Sequence, residues 1–248
     1  MIAGVILAGG ASRRMGQPKA LLTFRGETFL WRLQRIFLPH CSPVVVVLGH
    51  DAALVRTALD PRVVEALNDD PERGMLSSLQ VGLAGFHCGA EMSLGGALVP
   101  PKLISAPIAL QQLTDARSGA KAPRKLKLAP PGQVHVPMAR APGLPPKLAP
   151  QRVLFLPLDY PAIDPDTLSA LCAAPFADVT MPRYQGRRGH PVLISWKVAQ
   201  ELLDLPVTGA ARDVIRRYND TVHYVDVKDP AILMDVDTPE DYEVLSRL

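Results

Sequence analysis

The densest group of residues able to do chemistry lies near the N-terminus, in Leu7-Ala8-Gly9-Gly10-Ala11-Ser12-Arg13-Arg14-Met15-Gly16-Gln17-Pro18-Lys19. Glycines let backbone N–H groups approach an anion closely, and the cationic side chains neutralise it, with arginine able to fork onto two oxygens. A polyphosphate is the ligand such a loop suits. The spacing is neither G-x-x-x-x-G-K-[ST] nor G-x-G-x-x-G, so a P-loop hydrolase and an ordinary dinucleotide fold both lack their fingerprints. The same residues also suit a plain glycine-rich connection with solvated arginines.

Three acidic positions complement this cationic loop. Asp159 follows the apolar run Val153 to Leu156, where a parallel sheet presents its carboxyl end and open α/β folds bind ligands. A carboxylate there can hold a metal ion, or simply make a turn before Pro161. Asp235 and Asp237 alternate along the end of the last strand, Ile232 to Val236, so both should face one side and can reach one ion. Asp241 suits the start of the following helix. A second basic loop, Arg187-Arg188-Gly189-His190-Pro191, is able to bind an anionic acceptor, although a lone histidine such as His190 is more often structural.

The elements that must position these residues follow a regular order. Ala3 to Leu7 and Val44 to Leu48 are continuous apolar runs, as expected of strands covered on both faces. Between them Phe29, Leu30, Leu33, Ile36 and Phe37 recur at helical spacing before Pro39. Asp51 is the expected N-cap of a helix through Leu54, Val55 and Leu59, leading to a strand at Val63 to Leu67 and, after Asn68-Asp69-Asp70-Pro71, to a helix over Met75 to Phe86. The strand Val153 to Leu156 precedes a helix with Asp164 as N-cap and Pro165 at its first position. Strands at Val179 to Met181 and Pro191 to Ile194, helices at Trp196 to Leu203 and Ala210 to Tyr218, a last strand over Ile232 to Val236 and a helix opened by Thr238-Pro239-Glu240-Asp241 complete the pattern. This alternation predicts an α/β fold with a mainly parallel sheet, in one domain over 1–248. It is interrupted at about 89–151, a stretch holding roughly half of the prolines and almost no acidic residues, which reads as an inserted basic loop with at most a short helix over Ile108 to Ala116.

Composition narrows the function classes. Lys and Arg number 27 against 24 Asp and Glu, a net charge of +3, so nothing global calls for a nucleic acid or a membrane surface as partner. The three cysteines are odd in number and far apart, matching neither a disulfide framework nor a C-x-x-C motif and favouring a reducing compartment. The apolar start lacks a basic leader, and no run is long enough to span a bilayer, so the expected location is the cytoplasm.

The first loop resembles the Leu-Ala-Gly-Gly-x-Ser-x-Arg-Met-Gly-x-x-Lys signature of the molybdenum cofactor nucleotidylyltransferases, within the larger class that activates sugar phosphates and acylneuraminates. The resemblance covers about 1–88 and 152–248 and implies a Rossmann-like three-layer α/β/α fold. It implies that Leu7, Ala8, Gly9 and Gly10 wrap the nucleotide phosphates, that Arg14 contacts the β/γ-phosphates and Lys19 the α-phosphate region, and that Arg13 faces solvent. Asn68 and Gly74-Met75-Leu76-Ser77-Ser78-Leu79 are similar to the family's second segment, implying base and ribose contacts from Asn68, Gly74, Ser77 and Ser78; Leu76 stands where a glycine is usual. Asp159 and Asp237 would hold Mg²⁺, with Asp235 as a further candidate. Arg188, Gly189 and His190 resemble the cofactor-side loop of the cytidylyl branch, and the Gly74 to Leu79 segment is also similar to that branch, whereas Gly9-Gly10 resembles the guanylyl branch; on balance CTP is expected over GTP. The expected partners are a nucleoside triphosphate, a phosphorylated small-molecule acceptor, and a molybdoenzyme or its chaperone docked transiently. A sugar-phosphate nucleotidyltransferase and a non-catalytic nucleotide-binding protein remain alternatives.

Overall fold

The computed structural model describes residues 1–86, 149–206 and 208–248. The expected basic insertion, apart from its last three residues, and the short helix considered within it lie outside the described residues. The first strand, β1 (Ile2–Ala8), and the strand β4 (Val44–Leu48) form where the chain is unbrokenly apolar, and both are buried on two faces. Between them come a hairpin, β2 (Thr23–Phe24) and β3 (Glu27–Thr28), and helix α1 (Phe29–Phe37), whose N-cap Thr28 accepts from Trp31 N at 3.2 Å. The hairpin turns through Arg25 and Gly26, both at positive φ.

The order continues with α2 (Ala52–Val55), β5 (Val64–Leu67), α3 (Met75–Ala84), β6 (Arg152–Pro157), α4 (Pro165–Ala173), β7 (Val179–Tyr184), β8 (Arg187–Arg188), β9 (Val192–Ser195), α5 (Trp196–Leu203), α6 (Ala211–Arg217), β10 (His223–Asp226) and α7 (Pro239–Ser246). The main sheet runs β10-β7-β9-β6-β1-β4-β5, with β8 appended to β7. Strands β6, β1, β4 and β5 are mutually parallel, β10 is parallel to β7, and β9 runs antiparallel to both its neighbours. The chain leaves β1 towards β4 on one side and later returns to β6 on the other, so the sheet reverses its winding at β1. Ligands in open α/β folds bind beyond the carboxyl ends of strands at such a point.

Alternation along β1 divides the core into two layers. Ile6 and Ala8 join Leu30, Leu33 and Phe37 of α1 and Leu168 of α4 on one face. Ala3, Val5 and Leu7 join Leu79 and Leu83 of α3 and Val198 and Leu202 of α5 on the other. This is the three-layer α/β/α arrangement expected from the sequence.

Several expectations change. The run Ile232 to Val236 is not a strand: Pro230–Leu233 forms a 3₁₀ turn started by Asp229, whose Oδ1 accepts from Ala231 N at 2.9 Å, and extended chain follows. Proline at the first position and an acceptor before it favour a helical turn over a ladder. The helix after Asp51 ends at Val55 and tightens into a 3₁₀ turn at Arg56–Ala58, and the Asp51 side chain does not cap it. The hairpin β2–β3 and the strand β10 are found only in the structure. Leu76, at the family's glycine position, is buried in the core against α3's side of the sheet.

Helix α3 lies close to β1 and β4 because Gly82 lacks a side chain; a Cβ there would stand 2.6 Å from Val5 Cγ1 and 2.9 Å from Val47 Cγ2. Both neighbours are β-branched and stiff. Gly82→Ala is therefore expected to lower the unfolding free energy by about 1–3 kcal/mol through overpacking, and a second change, Val5→Ala, should return part of that loss in urea titrations.

Candidate active site

The carboxyl end of β1 opens directly into the glycine-rich loop. Gly49, just after β4, has no room for a Cβ because the backbone of Gly9 lies against it, and at Gly9 a Cβ would stand 3.0 Å from Ser78 Oγ. Position 9 is thus pressed between β4 and α3, while at Gly10 nothing lies within 4 Å and the backbone is open to a ligand. The loop then closes on itself: Ser12, at positive φ, accepts from Lys19 N at 2.9 Å through Oγ and from Met15 N at 2.9 Å through its carbonyl.

A cleft of about 440 Å³ faces this loop. It is lined by Leu7, Ala8, Gly9, Gly10, Ala11, Ser12, Arg13, Arg14 and Lys19 from the loop, Pro71, Gly74, Met75 and Ser78 from the second segment, Pro157, Leu158 and Asp159 from the end of β6, and Asp237. Arg14 is exposed and, among the described residues, has no ion-pair partner. Arg13 is exposed, as expected, and is also paired with Glu72, which sits 2.9 Å from His50 Nε2. Lys19 Nζ lies 2.6 Å from Asp237 Oδ1, with the lysine side chain 15% exposed and the aspartate 46%.

Asp159 and Asp237 are joined through the backbone, since Val236 N donates to Asp159 O at 2.8 Å. Asp237 is fixed from its other side by Asp241, whose Oδ2 accepts from Asp237 N at 3.0 Å and Thr238 N at 2.8 Å as part of the capping box of α7. These bonds hold the Asp241 carboxyl below its ordinary range, in keeping with its expected role at the helix start. Asp159 Oδ1 is sealed from solvent and has no hydrogen-bond partner. Burial raises this carboxyl to about 6, with Lys19 opposing and the Asp237 charge adding to the rise. A buried acceptor without a partner, beside a second carboxylate, suits a divalent cation.

The remaining predicted residues fall into three places. Asn68 is buried behind the cleft wall, its Nδ2 donating to Ser77 Oγ at 3.0 Å and Ser78 Oγ at 2.9 Å, and Ser77 donates onward to Gly74 O at 2.8 Å. Of the expected base and ribose contacts, Gly74 and Ser78 reach the cleft, whereas Asn68 and Ser77 act as its backing. Asp235 is exposed and does not line the cleft, although its charge still reaches Asp159 and His190. Among the described residues no group of three or more His, Cys, Asp or Glu stands at metal-holding spacing; of the three aspartates expected at a metal, Asp159 and Asp237 line the cleft.

Arg188, Gly189 and His190 line a second cavity of about 300 Å³ together with Tyr160, Met181, Ile232 and Leu233. Gly189 is required here because a Cβ would collide with the carbonyl of Ile232, which also accepts from His190 N at 3.0 Å. The His190 ring packs 4.8 Å from Tyr160, and its Nδ1 is buried without a partner. Burial pulls this imidazole down to about 4, leaving it neutral near pH 7. Tyr160 is the residue after Asp159, so one loop serves both cavities. Tyr160 and Gly49 were not singled out by the sequence, and Ser12 and Met75 stood inside the quoted motifs without a role; Gly49, directly after an apolar strand, carried a signal of close backbone approach.

The model of the MobA-like NTP transferase domain matches residues 4–222. The chain belongs to this family. It is 42% identical over 91 residues to a nicotine blue oxidoreductase of Paenarthrobacter nicotinovorans, covering 35% of this chain and 44% of that protein. It is 34% identical over 92 residues to a "Probable molybdenum cofactor guanylyltransferase" of Bacillus cytotoxicus, covering 36% and 45%. The chain thus matches less than half the length of either relative. Its fold is similar to that of Rv0371c from Mycobacterium tuberculosis, with a TM-score of 0.66 and 24% identity over 100% of this chain and 99% of that one; a manganese complex of Rv0371c matches with a TM-score of 0.61 and 21% identity over 99% and 98%.

The raised Asp159 carboxyl has a consequence for stability. Its folded value of about 6 exceeds the ~3.9 of an unfolded chain, so the unfolded chain gives up its proton first as pH rises. The group's contribution to folding is complete below about pH 4 and is lost as pH climbs through 6. Asp159→Asn, which has no charge to desolvate, is expected to raise the unfolding free energy of the metal-free protein by about 2–3 kcal/mol at pH 7.5, with the gain shrinking towards pH 4. Equal gains at both pH values in urea titrations would refute this account.

Proposed function

We propose that the protein is a nucleotidyltransferase that transfers a nucleoside monophosphate from a nucleoside triphosphate to a phosphorylated acceptor, molybdenum cofactor being the acceptor favoured, with release of pyrophosphate. The observation that carries this reading is the cleft in which a glycine-rich loop with Arg14 and Lys19 faces the unpartnered Asp159 and Asp237. Family membership alone does not decide the reaction, because one relative is named an oxidoreductase and another a guanylyltransferase.

In this reading the open backbone at Gly10 and the unpaired Arg14 receive the β- and γ-phosphates. Lys19 turns from Asp237 towards the α-phosphate, where charge accumulates during transfer. Asp159 and Asp237 hold a divalent cation, Mg²⁺ by expectation, and the manganese complex of Rv0371c lends support; that ion would neutralise phosphate charge. Met75, 48% exposed in the cleft, offers an apolar surface to the base, with Gly74 and Ser78 beside it. The acceptor lies in the second cavity, where Arg188 meets its anionic group and the neutral His190 offers a hydrogen bond. An oxygen of the acceptor phosphate attacks the α-phosphorus in line as the bond to the bridging oxygen of the leaving pyrophosphate breaks. The acceptor phosphate is already ionised, so orientation and charge stabilisation suffice without a protein base.

For the donor we favour CTP, on the Arg188-Gly189-His190-Pro191 loop; GTP is the competing reading, carried by Gly9-Gly10 and by the guanylyltransferase name of a relative. The test is pyrophosphate release with Mg²⁺, purified molybdopterin-type cofactor and each of CTP, GTP, ATP and UTP. Turnover with one base is expected, falling by about 10²-fold or more in Lys19→Ala and Asp159→Ala. Nucleotide binding without turnover on this acceptor or on sugar phosphates would overturn the catalytic reading.

A further inference from the structure

Arg32 lies on the apolar stripe of α1, one turn from Phe29 and from Ile36, and is 7% exposed. Its guanidinium packs 5.4 Å from the Phe24 ring centroid, and the nearest carboxylate, Glu27, stands 3.7 Å away while already forking onto Arg35 at 2.8 and 2.9 Å. What Arg32 does make are bonds to main-chain carbonyls: Nε donates to Pro161 O at 2.7 Å and Nη2 approaches Ile163 O at 3.4 Å.

Those carbonyls belong to the loop that begins at Asp159. Its other end is held where Asp229 Oδ2 accepts from Asp164 N at 2.9 Å, and its beginning where Asp159 O accepts from Val236 N. Between these two ties only the Arg32 fork grips the loop's backbone by a side chain among the described residues. If hydrophobic packing of the hairpin β2–β3 were the sole requirement, an apolar side chain would serve at position 32 without desolvating a charge. A fixed planar fork is the group that can hold two carbonyls of one loop at once.

We infer that Arg32 is a positioning residue: by clamping the Pro161 and Ile163 carbonyls it sets the loop that aims Asp159 at the cation and reacting phosphate. This rests on the reading of Asp159 as a metal ligand. Arg32 also touches the hairpin that follows Lys19, so the same side chain links the scaffolds beneath the cationic and the acidic halves of the cleft.

The test compares the full-length protein with Arg32→Met, Arg32→Lys and Glu27→Gln. Mn²⁺ affinity is measured by electron paramagnetic resonance, and amide exchange by NMR. In both Arg32 variants the Val236 amide, bonded to Asp159 O, should exchange faster while the amides of β1 and β4 keep wild-type protection. Mn²⁺ should bind about tenfold more weakly, with Lys less affected than Met. Glu27→Gln, which leaves the carbonyl bonds in place, should bind Mn²⁺ as wild type does. A folded Arg32 variant with wild-type Mn²⁺ affinity, or one in which all amides exchange faster together and Mn²⁺ binding is kept, overturns the inference. If the wild-type protein binds no Mn²⁺, the metal reading of Asp159 fails, and the exchange pattern alone then decides for or against Arg32 as the clamp of this loop.

Discussion

The contact between Lys19 and Asp237, at 2.6 Å across 218 positions of sequence, is the interaction on which the geometry of the cleft depends. It joins the first loop of the chain to one of its last segments and places a cation beside two carboxylates. Without it, Asp159 and Asp237 would face each other's charge in a partly desolvated site. Lys19 is one of the influences that lower Asp159 against the rise caused by burial. The pair is only partly shielded, so its contribution to overall stability is modest. Its weight lies in arrangement: it fixes the Lys19 ammonium beside Asp237 at the mouth of the glycine-rich loop.

That arrangement needs the two ends of the chain to be held independently. At the N-terminal end, β1 occupies the middle of the sheet with covered faces, and the near contact of Gly9 with Gly49 ties its loop to β4. At the C-terminal end no sheet strand carries Asp237. A helix cap does the same work, with Asp241 binding the amides of Asp237 and Thr238 and Val236 anchored both in the core and on Asp159 O. The Asp237 carboxylate is thus oriented by the start of a helix and not by a strand end.

Much of this was legible in the residues, and the exceptions have physical causes. The runs of β1, β4 and β6, the spacing of α1 and α5, and the Thr238 capping box each express one local rule strongly, and the structure agrees with them. Ile232 to Val236 carried the apolar content of a strand, but Asp229 and Pro230 start a helical turn there instead. The strand β10, His223–Asp226, is half-buried and polar at both ends, so its pairing with β7 decides its form and no local pattern announces it. In the site, glycines and cations marked the loop that lines the cleft because backbone approach and charge are visible one residue at a time. The resemblance of the second segment implied contacts from Asn68 and Ser77, which lie bonded to each other behind the cleft lining, because a motif carries no sign of which way each polar residue faces. Arg32 left a trace that could have been read, a charge at a position where Phe29 and Ile36 call for an apolar side chain, since a buried arginine must find partners.

The opposing signals about the base also change meaning once the packing is known. Gly9 is half of the Gly9-Gly10 pair that resembles the guanylyl branch, yet a Cβ at position 9 would press on Ser78 Oγ, and Ser78 is held by Asn68. Position 9 therefore senses the second segment before it senses any nucleotide. Gly10, with open space where a Cβ would go, is the position at which backbone approach to a ligand is available. The first loop and the Gly74 to Ser78 segment act as one packed unit, so a residue change in either is felt in both.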